Sequence, residues 1–184
     1  MVYRVYVEKK PSLALEAAAL KEDLTGLLQI SGLEKLRLIN RYDVEHIDRD
    51  LFEQCKATVF SEPQLDVVSD LPETAGATVF AVEYLPGQFD QRADSAAQCI
   101  QIISQQEKPT VRTARVYLLY GDLTDDEVER IKKYVINPVE CREASLDPYE
   151  TLDATYEKPE RVAVVNGFCG MSREELSGMV RDMG

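Results

Sequence analysis

One pattern of strands and helices occurs twice in this chain, and that repetition narrows the possible folds more than any other feature. Phe52-Glu53-Gln54-Cys55-Lys56 matches Val128-Glu129-Arg130-Ile131-Lys132 at an offset of about 76 residues. The segment from Thr58 to Pro63 falls near that from Tyr134 to Pro138, and Tyr42-Asp43 is echoed by Tyr120-Gly121-Asp122. Each copy reads as β-α-β-α. A sheet with one apolar face must be covered by its helices, and two such units can pair edge to edge or back to back.

The elements follow from periodicity. Tyr3, Val5 and Val7 alternate with Arg4, Tyr6 and Glu8, the period of a half-buried strand. Pro11 and Ser12 introduce a helix whose stripe is Leu13, Ala17, Leu20, Leu24, Leu27 and Leu28, weakened at Gly26 and ended by Ser31-Gly32. Leu36, Leu38 and Asn40 alternate with Arg37, Ile39 and Arg41 in a second strand. Asp48 is expected to cap a helix carrying Leu51, Phe52 and Cys55. Pro63 breaks the chain before Leu65, Val67 and Val68.

In the second copy, Val79 to Leu85 is a strand. Asp90 to Gln105 is a helix with Ala93, Ala96, Ala97, Ile100 and Ile103 inward, and Val111 to Leu119 is a strand. Thr124 and Glu127 form a capping box, after which Val128, Ile131 and Val135 are buried. The expected fold class is α+β, a two-layer ferredoxin-like sandwich with internal duplication. Its units are 1–75 and 76–146. Residues 147–184 read as a proline-punctuated linker and the start of another domain. Val162 to Val165 is expected as a short strand and Ser172 as a helix cap. The last helix has barely begun its apolar stripe at Gly184, so the chain is expected to continue.

Charge and motif content exclude several functions. The net charge of −12 and pI near 4.6 leave no basic surface for nucleic acid or an anionic membrane. No apolar run reaches the ~20 residues of a membrane span, and no signal peptide opens the chain. Cys55, Cys99, Cys141 and Cys169 stand far apart, which fits reduced cytoplasmic thiols rather than a zinc site or disulfide framework. His46 is the one histidine and has no nucleophile turn beside it, so it reads as structural. Gly167-Phe168-Cys169-Gly170 lacks the final glycine of a G-x-C-x-G nucleophile turn, because Met171 stands there. The carboxylates at Asp48 to Asp50 and Asp125 to Glu127 sit at helix starts, where the dipole explains them. No catalytic residue, metal site or cofactor is expected in this segment.

One stretch is left over. Pro86-Gly87 turns the chain out of a strand, and Asp90 opens a helix whose first turns carry amides, a hydroxyl and an Arg–Asp pair instead of lysines and glutamates. Gln88, Asp90, Gln91, Arg92, Asp94 and Ser95 are therefore candidate contacts to a partner, because such groups make directional hydrogen bonds. A well-capped helix packed by its alanines explains the same residues without a partner.

The run from Val82 to Gln101 resembles the N-terminal region of large single-chain phosphoribosylformylglycinamidine synthases. So do Val2 to Lys10, Ile39 to Val44, Val59 to Gln64 and Lys133 to Glu140, blocks that reach to about Leu152. The resemblance implies a purine-biosynthesis ligase that uses ATP, Mg²⁺ and glutamine, with its synthetase and glutaminase domains downstream. It implies that 1–75 and 76–146 mimic a dimer of the family's small separate S-subunit, and that this module bridges the other two domains without catalysing anything itself. Exposing a docking face would make the isolated chain a weak dimer. A different class of function is a regulatory module that binds a small metabolite between ferredoxin-like units.

Overall fold

The computed structural model describes residues 1–153 and 168–182. The first compact unit runs from Met1 to Asp153, and the second from Ala154 to Gly184. Within the first, the elements are β1 (Tyr3–Lys9), α1 (Leu15–Gly26), β2 (Leu33–Glu45), α2 (Arg49–Thr58) and β3 (Asp66–Ser69). Then come β4 (Ala77–Tyr84), α3 (Gln91–Ser104), β5 (Thr110–Gly121), α4 (Asp125–Val135) and β6 (Cys141–Ala144). All six strands join one antiparallel sheet in the order β3-β1-β2-β5-β4-β6. The order β-α-β-α-β occurs twice. With β1 set against β4, β2 against β5 and β3 against β6, the sheet reads the same from either edge. At its centre β2 pairs with β5 from Leu33–Gly121 to Glu45–Thr110.

The helices share one face of this sheet. Leu33, Leu36, Phe80, Val82, Tyr117 and Leu119 pack with Ala17 and Leu24 of α1 and Ile131 of α4. Val5, Val7, Tyr42 and Val44 pack with Phe52 and Cys55 of α2 and Ala96 and Ile100 of α3. Burying each large apolar side chain contributes about 1.5–3 kcal/mol, so these two clusters supply most of the cohesion between the layers.

The opposite face is not the polar one that alternation predicts. Ile39, Ala81, Ala114, Val116 and Leu118 are all buried there, and so is Arg41, at 1% exposure. Residues 145–153, of which 147–153 were expected as linker, run along this face as a strap. Arg41 donates to the Ser145 carbonyl (2.7 Å), Arg4 to those of Leu146 and Asp147 (2.8 and 3.0 Å), and Arg112 to that of Leu152 (2.8 Å). Leu152 is buried at the strap's end. Sequence polarity misleads here because the strap is held through its backbone carbonyls, which any residue type provides.

Three smaller differences have local causes. Helix α1 stops at Gly26 rather than Ser31-Gly32, and Gln29 takes φ +55° so that Ile30 turns into the core. Leu13 lies in a separate 3₁₀ turn, Pro11–Leu13, and Leu27 caps α1 at 70% exposure, so neither joins the stripe. Ile103, in the last turn of α3, is 41% exposed, and the helix's buried face ends at Ile100. The caps at Asp48 and Thr124 form as expected, the latter with the reciprocal Glu127 bond. Gly121, with φ +128°, abuts Gly32, where a Cβ on either would collide with backbone of the other segment.

In the second unit Phe168–Gly170 forms a 3₁₀ turn. Ser172 and Glu175 then cap α5 (Arg173–Asp182) reciprocally, at 2.7 and 3.3 Å. The strand expected at Val162 to Val165 lies outside the described residues. No helix among the described residues is long and apolar enough to cross a membrane.

Candidate functional site

The leftover stretch divides into residues the fold itself employs and residues it leaves exposed. Asp90 is the N-cap of α3. Its Oδ1 accepts from the Ala93 N–H at 2.9 Å, while Oδ2 accepts from the Thr113 hydroxyl at 2.7 Å. Asp94 is not paired with Arg92, since positions two apart on a helix diverge. Its carboxylate instead meets Lys108 (2.5 Å) and the Gln98 amide (2.6 Å). Arg92 reaches inward to the Tyr42 hydroxyl at 3.4 Å. Asp90 and Asp94 are therefore held within the fold, and of the two only the Asp90 cap was legible in the sequence; Arg92 is exposed and makes only this long contact.

Gln88, Gln91 and Ser95 differ. All three are exposed, and among the described residues their only side-chain hydrogen bond is a long one from Gln88 to the Val139 carbonyl (3.3 Å). Beside them Phe89 stands 71% exposed, with Val139 at 72% and Tyr84 at 44%. Sequence reasoning centred on the amides overlooked Phe89. The signal was present, as an aromatic within a turn that begins at Pro86-Gly87, where no core position is available. Gly87 has φ +89° and the Gln88 N–H bonds the Leu85 carbonyl, which throws Phe89 outward. An aromatic ring rimmed by amides and a hydroxyl is the composition of a protein-contact patch.

Under the same helix start lies a cleft of about 360 Å³, lined by Asn40, Tyr84, Arg92, Thr113, Arg115 and Tyr117 among others. Arg115 is engaged by Glu16 of α1 and lies 3.5 Å from the Asn40 amide oxygen. Tyr117 stacks on Phe80, and burial pushes its pKa up. Its hydroxyl has no hydrogen-bond partner among the described residues. The cleft carries two arginines, an unpartnered phenol and an amide, but its charges are largely balanced internally.

His46 ends β2 in the left-handed region (φ +62°), and its Nδ1 lies 3.2 Å from the Thr110 hydroxyl. All four cysteines are free thiols, Cys55 buried and Cys99 and Cys169 exposed. No protein-family model matches this chain, and no curated protein matches it.

Proposed function

We propose that this chain is a non-catalytic docking module, the N-terminal part of a cytoplasmic phosphoribosylformylglycinamidine synthase, bridging its synthetase and glutaminase domains. The single observation that carries the reading is the palindromic strand order about the β2–β5 pair. It is the arrangement expected if two S-subunit-like units, 1–75 and 76–146, were fused as a ferredoxin-like pseudo-dimer, which is what the sequence resemblance implies. The exposed Phe89 with Gln88, Gln91 and Ser95 supplies the contact surface. ATP, Mg²⁺ and the amidation chemistry belong to the domains expected downstream.

The coding sequence after Gly184 tests this. Continuation into an ATP-binding domain and a glutaminase with a G-x-C-x-G turn is the expected result; a stop directly after Gly184 contradicts it. In that full-length enzyme, Phe89→Ala combined with Gln91→Ala should lower glutamine-dependent turnover more than ammonia-dependent turnover. Equal rates in both assays would remove the patch from the account.

The cleft above Tyr117 favours a second reading, a module that regulates by binding a small metabolite. Calorimetric titration with nucleotides and amino acids separates the two, because docking predicts no tight binding.

A further inference from the structure

Away from the docking patch, the far end of β2 brings together three groups of metal-ligating chemistry. Glu45 and His46 are adjacent in sequence, and Asp153 arrives from the end of the strap. One ligand atom from each lies within 4.8 Å of the others. The sequence concealed this, since more than a hundred residues separate His46 from Asp153.

Glu45 is a buried residue, at 6% exposure. Its Oε2 accepts from the Leu152 N–H (2.7 Å) and the Thr151 hydroxyl (3.0 Å). Oε1 has no hydrogen-bond donor among the described residues; the nearest cation is the Met1 α-amino group, 3.7 Å away. That long ion pair is this oxygen's only partner among the described residues.

His46 supplies the second group. Its Nδ1 lies 3.2 Å from the Thr110 hydroxyl, a contact of the kind that orients a ligating imidazole. Asp153 is exposed.

We propose that Glu45, His46 and Asp153 form a binding site for a divalent first-row transition metal, with water completing the coordination. One imidazole and two carboxylates suit Zn²⁺ better than Mg²⁺, which demands an all-oxygen octahedron. Ligand atoms around zinc sit about 3.3 Å apart for bonds of about 2.0–2.1 Å. The two exposed side chains close the remaining distance toward the fixed Glu45. Binding would tie the strap's last residue to the end of β2 and fix where the chain leaves the sheet.

The test is calorimetric titration of the whole chain with ZnCl₂, in a Cys99→Ser, Cys169→Ser background that removes the exposed thiols. One equivalent should bind, and His46→Asn or Asp153→Asn should each weaken it at least about tenfold; Thr110→Val, acting through His46, should weaken it about 10-fold or more. Asparagine at position 46 tolerates the left-handed backbone. If that variant nevertheless fails to fold, exposed Asp153→Asn decides alone. Absence of stoichiometric binding, or binding indifferent to Asp153→Asn, overturns the proposal.

Discussion

Asp90 holds α3 to β5: one carboxylate oxygen caps the helix at Ala93 while the other accepts the Thr113 hydroxyl at 2.7 Å. A residue selected from sequence as a partner contact is thus a joint between the helix layer and the sheet. Asp90→Ala should cost about 1–2 kcal/mol from the lost cap and about 1 kcal/mol more from the lost Thr113 bond. Urea unfolding of the variant beside Gln91→Ala, which should be nearly neutral, checks the division between structural and exposed residues. Equal losses would contradict it.

A buried ion cluster secures the strap. Asp43, at 1% side-chain exposure, lies between Arg4 (2.5 Å) and Arg41 (2.9 Å). The Arg41 contact is an ion pair without a well-aligned hydrogen bond. Removing Asp43 leaves two arginines uncompensated, so Asp43→Asn should destabilise by about 3–5 kcal/mol. Replacing Asp43 and Arg41 together by apolar residues of similar size should cost less than the sum of the single changes. Denaturant melts of the three variants measure this, and strict additivity would contradict a coupled cluster.

The capping box of α4 makes one local pH dependence. Bonds from the Thr124 backbone N–H, and next its hydroxyl, hold the Glu127 pKa below the ordinary glutamate range. A depressed carboxylate pKa stabilises the fold above the unfolded value, near 4.3, and that contribution disappears as pH falls through the folded value. Amide exchange in the first turn of α4 should therefore accelerate selectively on acidification below about pH 4, and Glu127→Gln should abolish the extra dependence. An unchanged profile in Glu127→Gln would show that the cap is not its source.

Much of this fold was legible because its strong elements obey simple periods. The strands at Tyr3 and Val79, the caps at Asp48, Asp90 and Thr124, and the alanine face of α3 all follow from spacing and hydrogen-bond chemistry. Strands β3 and β6 were not, since each has only four residues and borders the sheet on one side, leaving no alternation to read. The second face of the sheet was misjudged for a different reason. Arg41 and Asp43 neutralise each other and so enter the interior, a pairing that single-residue polarity does not encode. The candidate site was half legible: amides marked the region, but Asp94 found Lys108 through the tertiary fold, and Phe89 emerged only once the turn at Gly87 was placed.

The central claim is that this chain exists to dock. Its most direct test is the binding of residues 1–184, supplied in trans, to the synthetase and glutaminase domains proposed as its partners. Docking predicts saturable one-to-one association, weakened about tenfold or more by Phe89→Ala with Gln91→Ala while the melting temperature of the chain stays unchanged. No association, or association indifferent to both substitutions, would contradict it.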